Sequence, residues 1–346
     1  MRNGKFGYGI IGAGVIGPTH AWAVKELEAK AELIAIADIE EAKAAAMAKD
    51  FAGSSVYKDY KELLKNKDID IVSVCVPSGL HGMVVKDAAK AGKHIVCEKP
   101  IEITLPKIDE MVKACKDAKV KLACIFQRRM QPESIVLKKK IASGAFGKIV
   151  TGSAYQKFYR SPEYYKSAGW RASWELDGGG ALMNQCVHGI DLITWLMGGI
   201  SSVNAICETK IHDIKVEDTS LALVRFKNGA VGVLEGTTSV YPGFSTRFEI
   251  GGEKGCVALT DSGFVAWDFK DEKEKPVLVG ETKEGTASDN KAVKVSGHTL
   301  QIADIMDAIK ENREPVCNGE EGRKAVEVIL AIYKSAKEKK EIKLPL

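Results

Sequence analysis

The sequence predicts two domains of mixed class: an α/β domain with a parallel sheet, then an α+β domain with a mixed, largely antiparallel open sheet. Three observations predict this. At 346 residues the chain exceeds what one ordinary core supports. Its first third alternates continuous apolar runs with helix-like segments. After about Lys148 alternating strands follow one another through turns.

In the first third, Phe6 to Ile11 reads as a strand ending in glycines, and Pro18 to Ala29 as a helix with proline tolerated at its start. Glu32 to Asp38 is a second strand and Glu40 to Lys49 an alanine-rich helix. Asp70 to Val76 is a strand stopped by Pro77, and His81 to Ala91 a helix ended by Gly92. His94 to Cys97, helix Ile108 to Ala118 and strand Lys121 to Phe126 complete the domain. Apolar strands without alternation are buried on both faces, and intervening helices make the sheet parallel. The boundaries are 1–126 and 127–346, with the closing helices returning to the first domain.

In the second domain a helix from Ala181 to Met197 ends at Gly198-Gly199. Strands follow at Val203–Cys207, Ser220–Phe226, Val231–Thr238, Phe248–Ile250 and Cys256–Leu259, and Asn228-Gly229 marks a hairpin. The polar stretch 271–296 reads as an exposed loop, and helices Thr299–Glu311 and Glu320–Lys339 close the chain.

Composition excludes several classes. Fifty basic against 46 acidic residues leave a net charge of +4, which calls for neither nucleic acid nor a membrane surface. The run Lys138-Lys139-Lys140 reads as a solvated helix face. Eight cysteines form no C-x-x-C pair; Cys75, Cys97 and Cys124 sit in apolar runs as small hydrophobes, as in a reducing cytoplasm. The glycine-broken stretch from Phe6 to Ile16 is not a signal peptide, and no apolar run has the length of a membrane span.

Gly12-Ala13-Gly14-Val15-Ile16-Gly17 matches G-x-G-x-x-G between a strand and a helix, the dinucleotide-binding fingerprint of a Rossmann domain. Gly12 makes the turn, Gly14 admits the pyrophosphate, and Gly17 lets helix and strand pack closely. The helix N-terminus attracts the phosphates. Asp38 ends the second strand 21 residues after Gly17, where a carboxylate accepts from the adenosine ribose hydroxyls. No arginine follows it, so NAD is favoured over NADP.

Two further constellations carry chemistry. Lys99, in Glu98-Lys99-Pro100, follows a sheet strand on the side where ligands bind in open α/β sheets, and Pro100 keeps it out of the helical region. Asn184, His188 and Asp191 stand at i, i+4 and i+7, on one helix face. A metal held by His188 and Asp191 would have only two ligands, so no metal is assigned. The remaining readings are a hydrogen-bonded core histidine and a pocket facing the nicotinamide.

Together these motifs, with Cys75-Val76-Pro77-Ser78-Gly79-Leu80-His81 and the ending Ala331-Ile332-Tyr333-Lys334-Ser335-Ala336, resemble the Gfo/Idh/MocA oxidoreductases over nearly the whole chain. The resemblance implies hydride transfer from a substrate C–H to NAD, with His188 as general base and Lys99 polarising the same oxygen. Asp191 joins the catalytic set. It implies cofactor contacts at Val15, Ile16, Pro77, His81, Glu98 and Lys99, and substrate contacts at Lys99, Arg128, Tyr155, Trp170, Arg171, Asn184 and His188. Asn184 stands where inositol dehydrogenases often carry Asp; it cannot carry charge, so it hydrogen-bonds substrate. Asn184-Gln185 resembles branches acting on nucleotide sugars or on C3 of pyranosides. Tyr164-Tyr165, Trp170-Arg171 and Asp177-Gly178 line a sugar pocket or pack a loop. The expectation is an NAD-dependent sugar dehydrogenase assembling as a homodimer or homotetramer. Alternatives are an oxidation–elimination hydrolase or lyase, an inositol 2-dehydrogenase and a dinucleotide sensor.

Overall fold

The computed structural model describes residues 4–271, 276 and 295–346. Nearly all of the polar stretch 271–296 lies outside the described residues; its last two positions open a helix. The chain divides into two compact units, Met1–Gln127 with Lys294–Arg323, and Arg128–Val293 with Lys324–Leu346.

The first unit contains strands β1 (Phe6–Ile11), β2 (Ala31–Ala37), β3 (Ser55–Tyr57), β4 (Ile71–Val74), β5 (His94–Cys97) and β6 (Leu122–Cys124). They form one sheet in the order β3-β2-β1-β4-β5-β6, paired in parallel throughout. Its helices are α1 (Gly17–Glu26), α2 (Glu41–Ala48), α3 (Tyr60–Lys65), α4 (His81–Lys90) and α5 (Leu105–Asp117). β3 and α3 are too short to leave a periodic signal; the Asp59 side chain caps α3 by accepting from the Lys61 N–H. Tyr8, Ile10, Ile36, Ile71 and Val96 build the core with Ile302, Ile305 and Met306 from α9 (Val295–Lys310). Each such aliphatic side chain stabilises by about 2 kcal/mol. The reversal of strand order between β1 and β4 opens the crevice where such sheets bind ligands.

The second unit contains α6 (Pro132–Ala142), β7 (Ile149–Lys157), α7 (Pro162–Lys166), α8 (Val187–Met197), β8 (Ile200–Glu208), β9 (Thr219–Phe226), β10 (Val231–Thr237), β11 (Arg247–Gly252), β12 (Gly255–Thr260) and β13 (Gly263–Phe269). The division between units falls inside α10 (Gly319–Glu338), and β14 (Ile342–Lys343) ends the chain. The sheet order is β13-β12-β11-β7-β10-β9-β8-β14; only β7 and β10 pair in parallel. Asn228-Gly229 does form the β9–β10 hairpin, with Gly229 at φ +88°. β7 carries little hydropathy signal because Gly152, Ser153 and Gln156 are among its buried positions.

A six-residue π-helix, Ala181–Cys186, precedes α8 where the sequence suggests one continuous α-helix. This segment lies tight on the sheet: a Cβ on Gly236 would meet Leu182 at 2.7 Å, and one on Gly189 would meet Gln156 at 2.2 Å. The opposite face leaves Ile206, Leu221, Leu223 and Val231 exposed.

Candidate active site

In the first unit the glycine turn has the expected form. Gly12 has φ +105°, and a Cβ there would strike the Cys75 carbonyl oxygen at 2.5 Å. A Cβ on Gly14 would meet nothing within 4 Å, so the backbone is open there to a phosphate. α1 has no side-chain cap, leaving its first N–H groups for an anion, while Val15 stands exposed and Ile16 half-buried beside them. Asp38, half-buried after β2, accepts from the Ala13 N–H at 2.7 Å and the Glu40 N–H at 2.8 Å. Each oxygen keeps a lone pair for a ribose hydroxyl. These residues fit a dinucleotide.

Half-buried Lys99 follows β5, and its bond to Pro100 is cis. Pro77, also half-buried, precedes the turn that leads into α4. Two expected cofactor contacts are revised because their side chains are buried and occupied by protein. His81 is 1% exposed, with Nδ1 2.8 Å from the Pro100 carbonyl and Nε2 2.9 Å from the Val76 carbonyl. It braces the end of β4 against the end of β5. Glu98 is 4% exposed. Its Oε1 lies 2.9 Å from His20 Nε2 and 3.3 Å from His298 Nε2, and its Oε2 accepts from the Lys99 N–H at 3.1 Å. Burial alone would raise its carboxyl; the bonds to His20 and His298 outweigh burial and hold it well below the usual range.

In the second unit the π-helix carries the polar site. Asn184 Nδ2 donates to Asp177 Oδ1 at 2.5 Å, and Asn184 Oδ1 accepts from Tyr164 Oη at 3.3 Å and Gln185 Nε2 at 2.7 Å. The Tyr164 hydroxyl also accepts from Arg171 Nη1 at 2.5 Å and Gln185 Nε2 at 2.7 Å. Arg171 lies 4.2 Å from the Tyr164 ring centre and 4.8 Å from that of Trp170. Trp170 thus presents its ring to Arg171. Arg160 Nη2 donates to Gln185 Oε1 at 2.6 Å. Tyr164 is the hub that links the predicted Arg171 and Asn184; its place before a Trp-Arg pair is the sequence signal for it.

Other expectations need correction. Within the set Asn184, His188 and Asp191, the Asn184 amide bonds Asp177 and Tyr164. The Asp191 carboxylate, 1% exposed, is held by Arg129 Nε at 2.8 Å and Nη2 at 2.6 Å. This bidentate pair ties α8 to the segment that carries Arg129. Half-buried His188 stands one residue into α8. Tyr155 is not beside this helix. Its neighbour Gln156 faces the helix, donating to the Cys186 carbonyl at 3.0 Å, so alternation turns Tyr155 to the other face of the sheet. Arg128 is likewise engaged away from the network, with Asp261 at 2.6 Å and Thr246 Oγ1 at 3.3 Å.

Glu217 gave no motif, yet it anchors the π-helix. Its carboxyl accepts from the N–H groups of Gly180 and Leu182, both at 2.9 Å, and from the Tyr333 hydroxyl at 2.8 Å. Burial pushes it up to about 7, against these donors.

Residues 6–126 match a family described as "Oxidoreductase family, NAD-binding Rossmann fold", and residues 138–344 match "Oxidoreductase family, C-terminal alpha/beta domain", its Gfo/Idh/MocA companion. The chain is 27% identical to myo-inositol 2-dehydrogenase of Thermotoga maritima over 97% of this chain and 98% of that one. It is 30% identical to levoglucosan dehydrogenase of Pseudarthrobacter phenanthrenivorans over 72% of each. Among solved structures, the WlbA dehydrogenase of Bordetella pertussis, in complex with NADH and UDP-GlcNAcA, superposes with a TM-score of 0.88 at 32% identity, covering 100% of this chain and 99% of that one. The matched profiles span both units, the glycine turn and the π-helix alike, and the chain belongs to the Gfo/Idh/MocA oxidoreductase family.

Proposed function

We propose that the protein is an NAD-dependent dehydrogenase oxidising a secondary hydroxyl of a sugar derivative, with a nucleotide sugar or a pyranoside oxidised at C3 as the substrate classes. The observation that carries this is the Tyr164–Asn184–Gln185–Asp177–Arg171 network, where amides, a hydroxyl and a guanidinium meet on the turn before His188. Such groups suit a polyhydroxylated ligand, since each hydroxyl both donates and accepts. Arg160 and Arg171 add two cations beside Tyr164, suited to a carboxylate or a diphosphate. The 32% identity to a dehydrogenase solved with UDP-GlcNAcA favours the nucleotide-sugar class.

The chemistry supplied by bound NAD⁺ is hydride acceptance at the nicotinamide ring. The Gly12–Gly17 turn and Asp38 hold the dinucleotide. His188 removes the hydroxyl proton; a neutral imidazole is matched to that task near neutrality. Lys99 stabilises the negative charge growing on the same oxygen. Asp191 and Arg129 fix the helix that carries His188. The exposed residues Ile206, Leu221, Leu223 and Val231 form an apolar face that we assign to a second copy of the chain.

The test is NADH fluorescence on the purified protein with nucleotide sugars, pyranosides and inositols. Reduction by a nucleotide sugar supports the proposal. Reduction by inositol alone replaces the substrate class, and aglycone release without net NADH replaces dehydrogenation with oxidation–elimination.

A further inference from the structure

A second proton on His20 Nδ1 would turn the Ser73 hydroxyl toward Tyr8 and leave the Tyr8 hydroxyl without an acceptor among the described residues; with His20 singly protonated, the donors and acceptors around Glu98 leave one consistent assignment. A carboxylate only accepts, so His20 and His298 each donate from Nε2 to Oε1. With its proton on Nε2, His20 must accept at Nδ1, where Ser73 Oγ lies at 2.7 Å. Ser73 therefore donates to His20 and accepts from the Tyr8 hydroxyl, also at 2.7 Å. The Lys99 N–H takes the second carboxylate oxygen. Every donor along Tyr8–Ser73–His20 points toward Glu98, and His298 reaches it separately from α9. All five residues are buried. His298 Nδ1 is buried without a hydrogen-bond partner among the described residues, so a second proton there would be an unpaired buried donor; with one proton on each imidazole the cluster carries one net negative charge, that of Glu98. Burial also lowers His20, consistent with its neutral form.

That charge has a defined place. Asp38, after β2, takes the adenosine ribose, and the β1–α1 turn takes the pyrophosphate. With the dinucleotide held that way, its nicotinamide half would lie on the other side of the switch point, toward β4 and β5. Glu98 ends β5 immediately before Lys99.

We propose that the His20–Glu98–His298 cluster is a fixed buried anion that biases the bound cofactor toward its oxidised, pyridinium form. This rests on the reading that the nicotinamide lies beyond β5 at Lys99. The pyridinium of NAD⁺ carries a positive charge that NADH lacks, so a buried anion favours NAD⁺ selectively. At about 10 Å and an effective dielectric near ~20, one charge changes relative affinity about tenfold.

The experiment measures dissociation constants for NADH, by its fluorescence, and for NAD⁺, by competition, without sugar. Glu98→Gln keeps the shape and removes the charge. The ratio Kd(NADH)/Kd(NAD⁺) is expected to fall about tenfold; an unchanged ratio, with both constants moved equally or not at all, overturns the proposal. His298→Leu is the second variant. With one donor gone, burial raises the Glu98 carboxyl, so the ratio should fall on acidification at a higher pH than in the wild type and recover at alkaline pH. His20, His81, Cys75 and Cys97 interact with Glu98, with Lys99 adjacent and Glu102 acting on the same His81 and Cys97, and all of them remain in both variants. A ratio that rises on acidification in His298→Leu counts against the proposal. Failure of the placement at Lys99 is read separately: Lys99→Ala would then leave both turnover and cofactor affinity intact.

Discussion

Two buried glutamates, one in each unit, behave in opposite ways. Glu98 sits after β5 and is held far below the usual carboxyl range; Glu217 sits under the π-helix and is pushed up to about 7. Both are almost fully removed from solvent and both accept three hydrogen bonds. The difference lies in the donors. Two imidazole N–H groups converging on one carboxylate oxygen outweigh burial at Glu98, whereas two amides and a phenol do not at Glu217, so burial prevails there. The first unit thus keeps a permanent anion near its cofactor turn, and the second keeps a titratable acid beneath its polar network.

The largest expected effect on this contrast is on chemistry. His188→Ala should lower kcat by about 10²–10⁴ with NAD affinity nearly unchanged, measured by steady-state kinetics and cofactor titration. Full turnover would move the base elsewhere and detach the π-helix network from catalysis. Next comes Asp191, whose donor is a formal cation. Arg129→Leu strands a buried carboxylate and should cost about 3–5 kcal/mol in denaturant unfolding. A loss below about 1 kcal/mol would mean that donor identity matters less than the Glu98–Glu217 contrast implies.

Glu217 gives the pH signature. Its carboxyl titrates near 7 when folded and near 4.5 when unfolded, so its contribution is fully present below about 4.5 and is lost as pH rises through about 7. The interval corresponds to about 3 kcal/mol. Unfolding curves of Glu217→Gln should lack that decline; a variant with the wild-type pH slope would remove Glu217 as its source. The smallest effect is at half-exposed Asp38. Asp38→Ala should weaken NAD binding about tenfold while the melting temperature stays within a few degrees, because its hydrogen bonds are local and solvated. Unchanged affinity would remove its ribose role.

Residues close together in sequence made much of the first unit legible. Gly12, Gly14, Gly17 and Asp38 depend on one turn and the strand beside it, and the structure keeps that spacing. The β9–β10 hairpin was equally plain, since Asn228-Gly229 matches the turn. The second unit was harder to read. Its helix pattern suggests one continuous α-helix for Asn184, His188 and Asp191, but Asn184 lies in a π turn bonded to Asp177, and Asp191 is held by Arg129. Tyr155 was misplaced because hydropathy does not say which face of β7 meets the helix; the Gln156 hydrogen bond does.

The sequence by itself determined most of the strand–helix alternation of the first unit, the main strands of the second, the dinucleotide turn, the acid after β2 and the family. These follow from local periodicity and short-range backbone geometry. The tertiary structure decided which polar side chains share a buried space. Glu98 and His298 are 200 positions apart, and Glu217 and Tyr333 are 116 apart. No local pattern encodes such pairs. They arise when α9 packs into the first unit's core and α10 delivers Tyr333 to the π-helix, where removal from water makes each donor's identity decide the charge of its carboxyl.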